Sequence, residues 1–216
     1  VFPIPPTLAN LIWNKLHILP IEKLIGNVDL VHTSDWAEPP TKINKITTIH
    51  DLIPIKFPRL TPKKILETHR ERLKWVLRES KMIIVPSICT KNDLLELGFD
   101  EKRIRVIPEA PNMVKSSEKD VETVKKKYGI RENYIITIGT NPRKNIKRII
   151  EAYYLSNAGR NLKLIVVGEK IGSKLEDERG VRFLGHIGDS DLEALLTGSK
   201  ALVFSSSYEG LGVPIL

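Results

Sequence analysis

The sequence predicts an α/β protein of two domains, each built on a parallel sheet. Short apolar or β-branched runs alternate with helical stretches along the 216 residues, which is typical of βαβ units. A polar stretch over 109–131 interrupts this alternation, and the apolar fraction of 41% suffices for buried cores. We therefore expect a first domain over 1–112, a linker with an exposed helix over 113–131, and a second domain over 132–216.

Four runs rich in Val, Ile and Leu predict the strands of the first domain. Thr61-Pro62 reads as an N-cap and first-turn pair, which predicts a helix over 63–78 with apolar residues spaced three and four apart. Thr90 is expected to open another helix that Gly98 closes. The predicted strands cover 28–32, 46–50, 82–86 and 104–107.

The second domain follows a polar helix predicted over 116–128 and ended by Gly129. Ser190 and Glu193 form a capping-box pattern ahead of its last helix. Its predicted strands cover 134–139, 162–168, 181–185 and 201–204. Four strands in each half are fewer than the roughly six of a Rossmann-like domain. Both domains are therefore expected to be incomplete, and the chain to be truncated at both ends.

Charge and cysteine content narrow the class of protein. The net charge of +8 either suits an acidic partner, such as nucleotide phosphates, a nucleic acid or an anionic membrane surface, or reflects a well-solvated surface. One cysteine, Cys89, excludes an internal disulfide and favours the cytoplasm. The basic helix over 63–78 either covers a sheet or lies on an anionic membrane, which would be the inner face of a cell membrane.

The first candidate site is the loop that follows the strand at 134–139. It contains Gly139, Thr140, Arg143 and Lys144 and precedes an amphipathic helix. A helix N-terminus attracts anions and disfavours cations. Two adjacent cations there are therefore explained either by a diphosphate lying between them or as solvated surface charges.

The second candidate site follows the run at 201–204 and centres on Glu209. An acid near a helix start stabilises the helix dipole without any further role, and Gly210 and Gly212 permit a tight turn. In a doubly wound sheet, however, the first and fourth strands of a domain are neighbours at the switch point. The two loops should then face one crevice, where a sugar diphosphate would meet cations, a carboxylate and backbone amides.

These segments resemble family 4 glycosyltransferases of the GT-B fold. In the second half the matching segments are Ile138–Asn145, Val166–Gly168, Val181–Gly185 and Ser205–Leu216, and the first half adds matches at Leu30–His32, Thr48–Pro54, Ile84–Ser87 and Arg105–Pro108. The resemblance covers nearly the whole chain and leans towards mannosyltransferase-like members. It implies a retaining enzyme that moves a hexose from a nucleoside diphosphate sugar, such as a GDP- or UDP-hexose, to a hydroxyl of a glycan or glycolipid.

The resemblance also implies roles for particular residues. Arg143 and Lys144 would hold the donor diphosphate, and Glu209 would bind the transferred sugar together with the amides of Gly210, Leu211 and Gly212. His50 would lie near the reacting end of that sugar, although a lone histidine at a strand end also serves as a loop cap. The remaining donor-side candidates are Gly139, Thr140, Phe183, Leu184 and His186.

Three features depart from the family pattern. The second glutamate of the Glu-x7-Glu motif would fall just past Leu216, and the glycine-rich loop of the acceptor domain is absent. Glu109-Ala110-Pro111 stands where many members have Asn-Gly, a change that a hinge should tolerate. The alternative function is therefore a catalytically inactive fragment that binds a nucleotide or a glycan.

Other ligand classes are disfavoured by the sequence. No strand is followed by Gly-x-Gly-x-x-Gly or by Gly-x4-Gly-Lys-Ser/Thr, the signatures of dinucleotide oxidoreductases and phosphate-loop NTPases. His32 and His186 lack clustered acids or cysteines, so neither a metal nor a cofactor is expected. Trp13, Trp36 and Trp75 are widely spaced, which indicates packing residues and no nucleic-acid partner.

Overall fold

The computed structural model describes residues 4–111, 113–156, 161–169 and 180–215. Leu216, the last residue of the predicted second domain, lies outside these ranges. The chain forms two compact units, Val1–Glu109 with Glu209–Leu211 and Ala110–Tyr208 with Gly212–Leu216.

The first unit contains a parallel sheet of four strands in the order β1-β2-β3-β4. Because all four strands run the same way, their carboxyl ends share one edge, and the residues that follow them are brought together there. The strands are β1 (Leu30–Ser34), β2 (Asn44–Thr48), β3 (Met82–Val85) and β4 (Ile104–Val106).

Helices cover this sheet. The long α4 buries Leu66, Leu73 and Val76, and it shares a core with Ile83 and Val85 of β3, both fully buried. The prediction that this basic helix covers a sheet is thereby confirmed. The helices are α1 (Pro6–Ala9), α2 (Glu22–Ile25), α3 (Ile53–Lys56), α4 (Lys63–Glu79) and α5 (Ile88–Glu96), with a π-helical turn over Asn10–Lys15.

A buried charge cluster lies between α4 and β2. The side chain of Glu38 is fully buried and pairs with Lys45 at 3.3 Å and Arg72 at 3.4 Å, each 1% exposed. Thr33 Oγ1 donates to Glu38 at 3.0 Å. Arg72 also donates to the carbonyl of Thr48, the last residue of β2, at 3.1 Å. These contacts offset part of the hydration that the buried charges lose, while Arg72 Nε has the ion pair with Glu38 but no hydrogen bond.

The second unit contains a parallel sheet in the order β5-β6-β7. On the free side of β5, the predicted strand at 201–204 forms only one bridge, Leu202 with Ile136. The amide of Val203 nevertheless donates to the carbonyl of Ile136 at 2.7 Å, so the first and fourth segments are neighbours as predicted. The elements are α6 (Glu118–Lys127), β5 (Tyr134–Ile138), α7 (Ile146–Leu155), β6 (Lys163–Val167), β7 (Val181–Phe183) and α8 (Asp189–Gly198).

Three predicted helix starts are wrong. α4 begins at Lys63 behind Pro62, with no side-chain capping hydrogen bond, and Thr61 Oγ1 instead donates to the carbonyl of Phe57 at 3.0 Å. Ser87, not Thr90, caps α5 by accepting from the amide of Thr90 at 3.1 Å. α8 begins at Asp189 behind Gly188, so Ser190 lies inside its first turn.

Candidate functional site

The basic loop after β5 is fixed by its own backbone. Asn141 Oδ1 accepts from the amide of Arg143 at 3.1 Å and caps a short 3₁₀ turn, Pro142–Lys144. Asn145 then takes a left-handed conformation with φ of 57°, and α7 begins at Ile146. The two cations therefore lie one short turn ahead of α7, where their conflict with its dipole is weaker than the sequence suggests.

This loop is joined to the segment after Phe204. The side-chain amide of Asn145 donates to the carbonyl of Ser205 at 2.7 Å. The amide of Ser207 donates to the carbonyl of Arg143 at 3.0 Å, and the Arg143 guanidinium donates to the carbonyl of Tyr208. The predicted meeting of the two loops is therefore observed between 143–145 and 205–208, within the second unit.

Lys144 is the second cation of this loop. Its ammonium lies 5.0 Å from the ring centroid of Phe204, a cation–π distance. Its stem also packs against Gly139, whose φ is +86° and where an added Cβ would lie 3.2 Å from Lys144 Cγ. Gly139 is therefore required both by its backbone conformation and by the position of the lysine.

The other donor-side candidates lie along the same carboxyl edge. Thr140 is buried and its hydroxyl donates to the carbonyl of Glu169 at 2.5 Å. An added Cβ at Gly168 would lie 3.3 Å from the Thr140 methyl, so the turn after β6 abuts the basic loop. Phe183 and Leu184 are half-buried at the end of β7, and His186 is exposed beyond them. Gly168 was part of a segment that resembles the family but was not predicted as a site residue. Its place directly after β6 is the signal that could have assigned it to this carboxyl edge.

The Glu209 segment is divided between the units. Glu209, Gly210 and Leu211 group with the first unit, where the hydroxyl of Ser87 donates to the carbonyl of Gly210. An added Cβ at Gly210 would collide with the carbonyl oxygen of His50, so only glycine fits. Gly212, with φ of +83°, groups with the second unit and precedes a 3₁₀ turn, Val213–Ile215, which takes the place of the expected α-helix start.

His50 follows β2 and is surrounded by acceptors. Its Nδ1 lies 2.5 Å from Glu109 Oε1. Its Nε2 lies 3.5 Å from Asp35 Oδ2 and 3.2 Å from Ser34 Oγ. The ring is 41% exposed, so it is oriented by the protein and still reachable from solvent. Asp51 accepts from the amide of Ile53 at 2.8 Å, so its carboxylate fixes the loop that follows His50.

Sequence reasoning missed Glu109 and Asp35 as partners of His50. Glu109 was read as a tolerated change in a hinge, yet its carboxylate orients the imidazole. Asp35 directly follows β1, and its place at the carboxyl edge was the signal that could have found it.

Within 4–111, 113–156, 161–169 and 180–215, no three His, Cys, Asp or Glu side chains are grouped as ligands for a metal ion. In the same ranges, none of the helices has the length and apolar character needed to cross a bilayer.

Two family models match the chain. The model described as Glycosyltransferase Family 4 matches residues 1–112, and the model described as Glycosyl transferases group 1 matches residues 120–216. Together they span nearly the whole sequence.

Curated relatives are bacterial mannosyltransferases. The chain is 26% identical over 87% of its length to O-antigen chain mannosyltransferase B of Escherichia coli, and 28% identical over 94% to O-antigen chain mannosyltransferase RfbU of Salmonella typhimurium. It spans 53% and 56% of these two proteins, about half of their length.

Solved structures show the same fold at lower identity. HepE of Anabaena in complex with UDP and glucose superposes with a TM-score of 0.61 at 18% identity, covering 78% of this chain and 48% of that one. Sucrose-phosphate synthase of Thermosynechococcus elongatus gives a TM-score of 0.63 at 18% identity, covering 88% and 53%. The predicted α/β fold with parallel sheets of the GT-B type is confirmed.

Proposed function

Because this chain belongs to glycosyltransferase family 4, we propose that its protein transfers a hexose from a nucleoside diphosphate sugar to a hydroxyl of a glycan or glycolipid, with retention at the anomeric carbon. The observation that carries the proposal is the basic loop of the second unit. Arg143 and Lys144 stand at the carboxyl edge of a parallel sheet and are fixed by contacts to the 204–208 segment. Fixed cations at such an edge suit a diphosphate.

The proposed donor is a GDP- or UDP-hexose, and mannose is our choice of sugar. The names of the two curated relatives support mannose, whereas HepE, the structural neighbour, was solved with UDP and glucose. GDP-mannose and UDP-glucose are therefore the two donors to compare first.

In the proposed reaction the bond between the anomeric carbon and the diphosphate oxygen breaks. The acceptor oxygen bonds to that carbon on the same face, and its proton passes to the departing diphosphate. Arg143 and Lys144 stabilise the negative charge that grows on the diphosphate, and they need no reorganisation because the fold already holds them.

His50 and Glu209 are proposed to orient the transferred sugar. With Glu109 accepting at Nδ1, the His50 Nε2 edge is the part of the ring left to face a sugar hydroxyl, beside Ser34 and Asp35. The Glu209 carboxylate would accept from a sugar hydroxyl, and the amides of Gly210, Leu211 and Gly212 would donate to the donor. Phe183, Leu184 and His186 would border the base, and Gly139 with Thr140 would let the phosphates approach the backbone.

The test is turnover by Arg143→Ala and Lys144→Ala with either donor. Each change should lower kcat by on the order of 10²–10³-fold, the range seen for a removed electrostatic stabiliser. Arg148→Ala and Lys147→Ala are matched controls, because both residues are exposed in the first turn of α7 and should leave kcat within about twofold.

Two results would reject the proposal. Near-wild-type turnover by Arg143→Ala and Lys144→Ala would show that the basic loop does not stabilise the departing diphosphate. Calorimetric binding of GDP or UDP without transfer to any mannose oligosaccharide would favour the inactive binding fragment.

Location at the inner face of a membrane stays a prediction. The exposed side of α4 carries Lys63, Lys64, Lys74 and Arg78, which would favour anionic lipid headgroups. Co-sedimentation with vesicles containing phosphatidylglycerol, compared with phosphatidylcholine alone, measures this association.

A further inference from the structure

Trp36 of the first unit is exposed beside the histidine of the proposed site. Its residue surface is 55% exposed, and it follows Asp35, whose Oδ2 lies 3.5 Å from His50 Nε2. Tryptophan has a large apolar face that normally gains stability from burial. The sequence predicted that this tryptophan is a packing residue. Because its indole is exposed at the carboxyl edge of a sheet, it is available to contact a ligand.

The backbone on both sides of this indole is fixed. The amide of Trp36 donates to the carbonyl of Ser34 at 2.8 Å across Asp35, which has a φ of 48°. The carbonyl of Trp36 accepts from the side chain of the fully buried Asn14 at 2.8 Å. Aspartate is one of the few non-glycine residues that adopt a positive φ readily, so Asp35 suits this tight turn. The tight turn thus holds the ring where it is.

His69 supports the ring from the protein side. The two rings meet edge to face, with centroids 5.2 Å apart and an interplanar angle of 68°. Burial, and then the charge of Arg72, lowers the pKa of His69, so this imidazole is neutral at pH 7 and supports the indole as an aromatic neighbour. The indole is therefore preorganised, which reduces the entropy lost when a ligand binds.

A small cavity beside the exposed indole has both apolar and polar walls. Its volume is about 140 Å³, that of roughly five waters in the liquid. Trp36, Pro6 and Ile65 form its apolar part, and its polar part comes from Thr7, Asn10, Lys64 and Thr68. Carbohydrate rings combine an apolar C–H face with hydroxyls at the rim. An aromatic wall with hydroxyl, amide and ammonium groups beside it matches that pattern.

We propose that Trp36 is a stacking platform for one sugar ring of the acceptor glycan. Asp35 and the polar groups of this cavity would form hydrogen bonds with the hydroxyls of that ring. The inference rests on the proposed function for the acceptor role, but not for sugar binding itself. A nucleotide is a less suitable occupant, because the carboxylates of Asp35 and Glu109 both contact His50 nearby and would repel its phosphates.

The direct test is calorimetry with mannotriose as the probe. Wild-type protein should bind it, and Trp36→Ala should weaken binding at least about tenfold, as expected for loss of an aromatic stacking contact and its buried area. Trp36→Phe should keep binding within about threefold because a ring face remains. Leu60→Ala is the control, because Leu60 is a 44% exposed apolar residue of the same unit. This variant should bind mannotriose as tightly as the wild-type protein does.

Steady-state kinetics give the second readout. Trp36→Ala should raise the acceptor KM at least about tenfold and leave the donor KM within about twofold. Equal mannotriose affinity in Trp36→Ala and Leu60→Ala would overturn the inference. So would a rise in the donor KM alone, or competition of mannotriose with GDP or UDP in calorimetry. If no donor is used at all, the proposed function fails, whereas the mannotriose measurement still decides the role of Trp36.

Discussion

At the scale of single residues, the pair of Glu109 and His50 shows how one contact determines which edge of an imidazole is presented. A carboxylate at 2.5 Å from Nδ1 holds a proton on that nitrogen and directs Nε2 towards Ser34 and Asp35. The hydrogen bond made by one ring nitrogen thus fixes the chemistry of the other.

Glu109→Leu should therefore lower kcat by on the order of tenfold, the size of effect seen when a residue that orients a histidine is lost. Glu109→Gln should retain most of the activity, because its amide oxygen still accepts from Nδ1. The measurement is kcat and donor KM, with circular dichroism to verify folding. Wild-type kcat in Glu109→Leu would show that His50 is not oriented by this contact.

Residues that follow a strand could be predicted as site candidates, and those whose role depends on a distant partner could not. His50, Gly139 and Thr140 were found because each follows or ends a strand-like run. Glu109 faces His50 only because β2 and β4 belong to one sheet, and local sequence pattern does not encode which residues meet across a sheet.

At the scale of elements, α6 and α8 are joined by one carboxylate. Asp191 Oδ2 accepts from Lys127 Nζ and from Tyr128 Oη, both at 2.6 Å. These two hydrogen bonds, that of Lys127 first, hold the pKa of Asp191 below its ordinary value. The ionised carboxylate therefore stabilises the fold at neutral pH, and this stabilisation is lost as the pH falls through the lowered pKa.

Asp191→Asn should accordingly reduce the denaturant midpoint at pH 7, with a deficit that shrinks below the ordinary pKa of an aspartate. Asp189→Asn is the matched control, because Asp189 is an exposed acid in the same first turn of α8 and removes the same helix-dipole contribution. Urea unfolding of both variants at pH 7 and pH 3 measures the difference. Equal midpoints at pH 7 would contradict the role of the Asp191 contacts.

Element types were predicted better than element ends. The strands predicted at 28–32 and 46–50 are observed two residues later and two residues earlier, at Leu30–Ser34 and Asn44–Thr48. Their bounds follow from pairing with one another, from Leu30 with Asn44 to Ser34 with Thr48. Such register depends on tertiary hydrogen bonds, which local composition does not encode.

At the scale of the whole molecule, positive charge dominates. The sequence has 34 Lys and Arg against 26 Asp and Glu, a net charge of +8. A surplus of this size raises the local concentration of anionic ligands, and salt screens it.

GDP should therefore bind more weakly in 1 M than in 0.1 M NaCl, since the Debye length falls from about 10 Å to about 3 Å over that range. Mannotriose is neutral and should keep its affinity within about twofold, which makes it the internal control. Calorimetry of both ligands at the two salt concentrations is the measurement. A GDP affinity that does not change with salt would show that the net charge has no part in binding.

The buried cluster of Glu38, Lys45 and Arg72 also has an evolutionary consequence. Loss of Glu38 alone would leave Arg72 buried without its carboxylate and Lys45 paired only with Glu79 at 2.7 Å. Loss of Arg72 alone would release the carbonyl of Thr48 at the end of β2, two residues before His50. Either single change is strongly unfavourable, whereas joint replacement by apolar side chains of similar volume is tolerated in buried ion clusters. Descendants of this sequence should therefore keep these charges together or lose them together.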